Sequence, residues 1–362
     1  LRVAIVHDWL VSWRGGEKVL EALASLYPHA PIYTLFYDES KIPESLRKRK
    51  IIVHKGANWF RCIRKALLPI MPMWIESLPL EKYDLVISTS SCVAKGVMVG
   101  PNAKHLCYIH SPMRYIWDQR DEYLGRIRRI PFIGLLIEWG SSALRVWDVT
   151  SAGRVNIFVA NSRFVKKRVE KYYGRDAVVV HPPIDVKRFK PQGQVTKGGY
   201  LLAAGAFVNY KRFDLAIRAC EKLGKRLIVA GHGGELRRLR QCAGRFTTFE
   251  LAPSDERWVK LLQEADALLF PGVEDFGMVA VEAMASGTPV IALKAGGALD
   301  FIVEGTSGLY FDDCSVESLM QAIERSSKTN WSPDALMRHA EVFSYDEFFK
   351  NIRRHLERLL SQ

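Results

Sequence analysis

No run of eighteen apolar residues occurs in this chain of 362 residues, so nothing in it reads as a membrane-spanning helix. Its two most apolar stretches, Leu67–Ile75 and Ile130–Trp139, are short and broken by proline, glycine or charge. The opening residues LRVAIVHDWL lack the charged start and small-residue cleavage site of a signal peptide, and read instead as a core strand. Cysteine is sparse: Cys62, Cys92, Cys107, Cys220, Cys242 and Cys314 are scattered, with no C-x-x-C pair. That argues against a disulfide framework or zinc site and fits a reducing cytosol. No repeat or low-complexity tract appears. No D-x-D pair follows a strand candidate, so no metal is expected. G-x-G-x-x-G is missing after the first strand, which argues against a dinucleotide-dependent oxidoreductase.

Acidic residues are scarce in one half only. Residues 1–190 carry 31 Lys and Arg against 17 Asp and Glu, whereas 191–362 carry 21 against 22. A basic first half could face nucleic acid, anionic lipid or a phosphorylated substrate.

What is present is alternation. Short apolar runs alternate with helical patterns, as parallel sheets wound with helices require. Strand candidates in the first half are Val3–Val6, Asp84–Ser88, Leu106–Ile109, Ile157–Ala160 and Ala177–Val180. Those in the second are Tyr200–Ala204, Arg226–Ala230, Thr247–Leu251, Ala267–Phe270, Pro289–Leu293 and Gly308–Phe311. The proline- and glycine-bearing stretch 182–193 reads as a linker. The expected domains are 1–183 and 184–344, with a last helix over 345–362 packing back on the first.

Several strand ends carry groups suited to an anionic, hydroxyl-rich ligand. Pro271–Gly277 joins a strand to a helix over Met278–Ser286, and a helix N-terminus attracts phosphate. Glu274 in the loop and Glu282 in the helix can accept from hydroxyls at two ends of one ligand. Taken alone, the pattern fits equally a capped helix with a solvated glutamate. Tyr210–Lys211–Arg212 supplies cations at the end of another strand, where open α/β sheets bind ligands. The glycines 231, 233, 234, 296 and 297 follow two more. In the first half, Arg14–Gly15–Gly16–Glu17 opens a helix after the first strand, and His110 ends another strand ahead of Ser111–Pro112.

In combination, E-D-F-G-M-V-A-V-E-A-M-A-S-G-T-P-V-I-A (274–292) resembles the signature of retaining glycosyltransferases of family 4. The resemblance implies the GT-B fold: two Rossmann-like, doubly wound parallel-sheet α/β domains facing a cleft. It further implies that Glu274 holds donor-sugar hydroxyls, Glu282 the ribose and Lys211 the diphosphate. Backbone amides around Phe276, Gly277 and Met278 would contact sugar and phosphate. Where the family often has an arginine five residues before the lysine, this chain has Ala206, and Arg212 is the candidate for the second charge. Gly15 and Gly16 would face the donor phosphates, Gly233 would approach the donor, and Leu251 lies where the base is read.

The block His110–Ser111–Pro112–Met113–Arg114–Tyr115–Ile116–Trp117–Asp118 resembles that of bacterial mannosyltransferases of O-antigen and capsule synthesis. It implies that His110 contacts the donor sugar and that GDP-mannose is the donor. Arg114 is either an acceptor contact or part of a structural ion pair, and Trp117 is a further acceptor candidate. A UDP-sugar transferase and a nucleotide-sugar epimerase of the same fold are the alternatives. No cofactor is expected beyond the nucleotide-sugar substrate, and no nucleic acid. The acceptor expected is a lipid-linked saccharide. The basic runs Arg47–Lys50 and Arg61–Lys65, and Arg126, Arg128 and Arg129, lie beside Trp59, Phe60 and Ile130–Trp139. This pairing suits an anionic membrane surface, which implies a cytoplasmic protein held peripherally at the inner face of the cell membrane.

Overall fold

The computed structural model describes residues 1–118 and 133–361. The chain divides into two compact units, Leu1–His181 with Lys350–Gln362, and Pro182–Phe349. Arg126, Arg128 and Arg129 lie outside the described residues.

The first unit holds strands β1 (Val3–Leu10), β2 (Ile32–Tyr37), β3 (Ile51–Val53), β4 (Leu85–Ser90), β5 (Lys104–Ile109), β6 (Ile157–Ala160) and β7 (Ala177–Val179). They form one sheet in the order β3-β2-β1-β4-β5-β6-β7, with every neighbouring pair parallel. Helices α1 (Gly15–Leu26), α2 (Ile133–Ala152) and α3 (Arg163–Tyr173) belong to this unit. The second holds β8 (Leu201–Ala206), β9 (Leu227–His232), β10 (Thr247–Leu251), β11 (Ala267–Phe270), β12 (Val290–Leu293) and β13 (Gly308–Phe311). Their order is β10-β9-β8-β11-β12-β13, again parallel throughout. Its helices include α4 (Phe213–Leu223), α5 (Asp255–Glu264), α6 (Met278–Ala285) and α7 (Val316–Lys328); α8 (Tyr345–Leu360) ends the chain. These are the two doubly wound parallel sheets expected from the alternation.

Both faces of the second sheet are covered, which is why its strands read as unbroken apolar runs. In β8, Leu201 and Ala203 pack with Phe213, Ile217 and Ile323. Their neighbours Leu202 and Ala204 pack with Phe276, Met284 and Phe301 on the opposite side. In α8 the buried Phe348, Ile352, Leu356 and Leu359 recur at helical spacing, while Arg353, Arg354 and Arg358 are exposed.

The structure differs from the sequence reading at several points. β1 runs on through His7, Asp8 and Trp9, because the buried Asp8 carboxylate is fully used. It accepts from the amides of Ser91, Cys92, Val93 and Ala94 at 2.7–2.9 Å. The strands β2 and β3 were not expected, and they form the sheet edge beside β1. The stretch after Pro182 is no free linker: Ile184, Val186 and Phe189 are buried in the core of the second unit. Ile184 also pairs in parallel with Ser344. Part of the basic run is structural too, since Arg49 donates to the carbonyls of Ala24 and Tyr27 (2.9 and 2.7 Å) at the C-terminal end of α1.

Candidate functional site

In the second unit the loops after β8, β11 and β12 converge, as neighbours in the sheet must. Their glycines let backbone meet backbone. A Cβ at Gly272 would stand 2.6 Å from the Lys211 Cα, and one at Gly296 2.6 Å from the Glu274 carbonyl oxygen. The Gly297 amide donates to that same carbonyl at 2.8 Å. Gly233 is likewise crowded by the backbone of Phe207. The close approach these glycines permit is therefore to protein as much as to any ligand.

This packing brings Lys211 and Glu274 together. The Lys211 ammonium donates to Glu274 Oε1 at 2.5 Å, with the two side chains only 10% and 16% exposed. Arg212 is placed differently. Its backbone is left-handed (φ 52°) where it enters α4, and its guanidinium is engaged by Asp214 Oδ1 at 3.2 Å and Cys314 Sγ at 3.0 Å. The substitute charge expected for Ala206 is thus present but tethered.

Gly277 caps α6 with φ 104°, a conformation that favours glycine. A side chain there would overlap the Phe270 ring. Phe276 points into the core, edge-on to Phe301 and tilted on Phe343, so only its backbone is available to a ligand. Four residues into α6, the buried Glu282 accepts from the Trp258 indole N–H at 3.1 Å. Trp258 belongs to α5 and no local signal marked it. Its neighbour Arg257 pairs with Glu250 on β10, with Nε at 2.9 Å from Oε2. The exposed Leu251 follows, then Ala252 with φ 45°. Thus α5 fastens both the strand end bearing Leu251 and the Glu282 carboxylate. Met278 is half-buried at the first turn of α6.

The first unit builds a different cluster. Gly15 and Gly16 open α1, and Glu17 closes its end by accepting from the Arg14 amide (2.9 Å) and the Ser12 hydroxyl (3.0 Å). His110 follows β5. Its amide donates to the Ser90 carbonyl at 2.8 Å, and its carbonyl accepts from Asn161 at 3.1 Å. Its Nε2 is enclosed and has no hydrogen-bond partner among the described residues. A Cβ at Gly16 would stand 3.6 Å from that nitrogen. Burial, and secondarily His7, push the His110 imidazole down to about 3. Burial holds His7 near 4 while its Nδ1 bonds Thr89 Oγ1. His110 is therefore neutral at pH 7 and can donate or accept at Nε2.

The segment after His110 is pinned at several points. Arg168 donates to Ser111 Oγ at 2.9 Å and pairs with Asp118, which also accepts from Tyr172. Arg114 reaches Ser111 Oγ at 3.3 Å. The Trp117 indole donates to Asp148 at 2.8 Å and its ring stacks on Tyr172. Asp148 is wholly buried and paired with the equally buried Lys95 at 3.0 Å. Trp117 and Lys95 thus form a polar core that spacing did not reveal. Among the described residues no group of three His, Cys, Asp or Glu could hold a metal ion.

Comparison with known proteins sets this geometry beside that of glycosyltransferases. Residues 185–341 match the family model of Glycosyl transferases group 1. The human alpha-1,3/1,6-mannosyltransferase ALG2 is 27% identical over 349 residues, 84% of this chain and 80% of the relative. The mouse protein is 25% identical over 96% of this chain and 94% of its own. A D-inositol 3-phosphate glycosyltransferase of Mycolicibacterium smegmatis is 32% identical, over 46% of this chain and 44% of its own. Among solved structures, the sucrose-phosphate synthase of Thermosynechococcus elongatus superposes with a TM-score of 0.76 at 16% identity, covering 99% of each chain. Anabaena HepE in complex with UDP-glucose gives 0.72 at 17% identity, covering 98% of this chain and 99% of that one. The unit that carries Lys211, Glu274 and Glu282 is the part that matches the group 1 glycosyltransferase model, and the chain has the two-unit GT-B architecture of a hexose-transferring enzyme.

Proposed function

We propose that this protein is a retaining family 4 enzyme. In this reading it transfers mannose from GDP-mannose to a hydroxyl of a lipid-linked saccharide during synthesis of a cell-surface polysaccharide such as lipopolysaccharide. The observation that carries the reading is the convergence of Lys211 and Glu274 at adjacent strand ends, with Glu282 one turn into the following helix. A cation suits a diphosphate, and two carboxylates suit the hydroxyls of a sugar and a ribose. Similarity to mannosyltransferases along most of the chain supports the choice of sugar.

In the reaction, the bond between the sugar C1 and the phosphate oxygen breaks and its electron pair stays on the diphosphate. Lys211 and the N-terminal end of α6 stabilise that growing charge. The acceptor hydroxyl oxygen bonds to C1 from the same face, and its proton passes to the departing phosphate oxygen. No step calls on a metal. The neutral His110, beside the N-terminal end of α1, offers one hydrogen bond to a sugar hydroxyl.

A membrane setting for the acceptor is supported by the apolar side chains that the first unit exposes among cations. Trp59 is 88% and Trp139 73% exposed, with Phe60, Ile63, Ile70 and Met73 also outside; Arg61 is exposed and Arg64 half-buried among them. No described helix is long and apolar enough to cross a membrane, so this reading gives peripheral binding to the cytoplasmic face of the cell membrane.

A panel of GDP- and UDP-sugars, scored by thermal shift and then by transfer to lipid-linked acceptors, tests the reading. GDP-mannose should stabilise the protein most and be consumed only with acceptor. A preference for UDP-sugars sinks the mannose assignment, and donor turnover without acceptor points to an epimerase. Loss of activity in EDTA, restored by manganese, contradicts the metal-free step. Vesicles rich in anionic lipid should retain the protein at low salt and release it at high salt.

A further inference from the structure

In the donor reading Lys211 meets the diphosphate and Glu274 the sugar attached to it, yet the two side chains are paired with each other at 2.5 Å. The backbone around them leaves little room for loop movement. Gly272 lies against Lys211, Gly296 against Glu274, and the Gly297 amide holds the Glu274 carbonyl. A rotation of the two side chains parts the pair without moving that backbone.

We infer that the Lys211–Glu274 pair is an exchange switch: the donor diphosphate takes Lys211 from Glu274, and the freed carboxylate is satisfied only when a sugar is attached to that diphosphate. The inference rests on the donor reading above and assigns the pair a second role, in product release. A carboxylate withdrawn from water and stripped of its cation is costly. A nucleotide sugar offsets that cost with hydroxyl donors, whereas a nucleoside diphosphate offers none at that end. Once the sugar has left, Glu274 competes with the diphosphate for Lys211 and drives it out. The same pair thus favours the substrate over its own product, two ligands that differ only beyond the phosphates.

Calorimetric titration of the full chain with GDP, UDP and inorganic pyrophosphate tests this. Glu274→Gln and Glu274→Ala should each bind GDP about five- to tenfold more tightly than the parent, because the competing charge is gone. Both should lose transfer activity. Two variants are used so that a folding defect in one, read from its thermal midpoint, does not decide the matter. In a Lys211→Gln background GDP binds weakly, and the gain from Glu274→Gln disappears. GDP binding that is unchanged or weaker in both Glu274 variants overturns the switch, as does a gain that persists without Lys211. A parent protein that binds none of the three probes overturns the donor reading itself, a distinct result.

Discussion

At the strand ends of the second unit an ammonium and a carboxylate face each other at 2.5 Å. At the strand ends of the first, an enclosed imidazole nitrogen faces a glycine and has no hydrogen-bond partner among the described residues. The first arrangement pairs charge with charge, so a ligand that takes Lys211 must part it from Glu274. The second leaves a neutral nitrogen able to make one hydrogen bond. Burying a polar nitrogen without a partner costs on the order of 1–3 kcal/mol, so a hydroxyl that fills the gap gains what the fold has forgone. The comparison separates a charged pair that can exchange partners from a neutral imidazole that has one hydrogen bond to offer.

The largest expected effect comes from acid, and it should divide the units. His7, His105 and His110 all lie in the first unit, and burial holds them near 4, 3 and 3. Their folded values lie below the ordinary 6.5, so the unfolded chain binds more protons as pH falls. The stability they contribute is complete above about pH 6.5 and is lost as pH drops toward 4. Near pH 5 about three extra protons on the unfolded state correspond to a loss of about 4 kcal/mol per pH unit. Hydrogen exchange read by peptide should show protection failing in 1–118 before 200–340. Simultaneous loss in both regions breaks the contrast.

Next comes the charge itself. Lys211→Gln should lower the transfer rate at saturating donor by about 100- to 1,000-fold, the usual cost of losing a group aimed at developing negative charge. Arg212→Gln should cost less than about tenfold, since its guanidinium is already engaged by Asp214 and Cys314. Equal losses from the two would mean that Arg212 leaves those partners for the diphosphate. In the first unit His110→Ala should cost about tenfold, the worth of one neutral hydrogen bond. Gly16→Ala should lower transfer comparably while barely changing the thermal midpoint. Its new methyl would stand 3.6 Å from Nε2, an ordinary contact for the fold but an obstruction to anything bonding that nitrogen.

The units also differ in how much of them could be read in advance. In the second, β11 and β13 begin and end where the apolar runs do, because both faces of that sheet are covered there. In the first, the strand candidate stops at Val6, short of Asp8. Its partners, the amides of 91–94, are more than eighty residues away and leave no trace near it. β3 is three residues long beside a basic run, too short for period or length to distinguish it from a loop. The buried Lys95–Asp148 pair behind Trp117 is hidden for the same reason as Asp8: a charge is legible as buried only when its counter-charge can be located. At the candidate site the charged residues could be picked out by type and position. The spacing of the glycines gave no sign that most of their clearance is taken by neighbouring backbone.

Trp258 is the sharpest instance of a partner invisible in the local sequence, and the smallest effect expected. Its indole donates to one oxygen of Glu282 from a different helix, while Arg257 beside it ties the same helix to Glu250 on β10. If Glu282 receives the ribose, this bond fixes the carboxylate's orientation without touching the ligand. Trp258→Phe keeps the ring in its apolar setting and removes only the N–H. It should weaken GDP binding by about three- to tenfold, the range of a single neutral-to-charged hydrogen bond shared with solvent. The informative measurement is the ratio of affinities for GDP and its 2′,3′-dideoxy analogue. A loosened carboxylate distinguishes them less, so the ratio should shrink in the variant. A general softening of the fold would instead weaken both ligands equally and leave the ratio as it was. In that event Trp258 is a packing residue and does not orient Glu282.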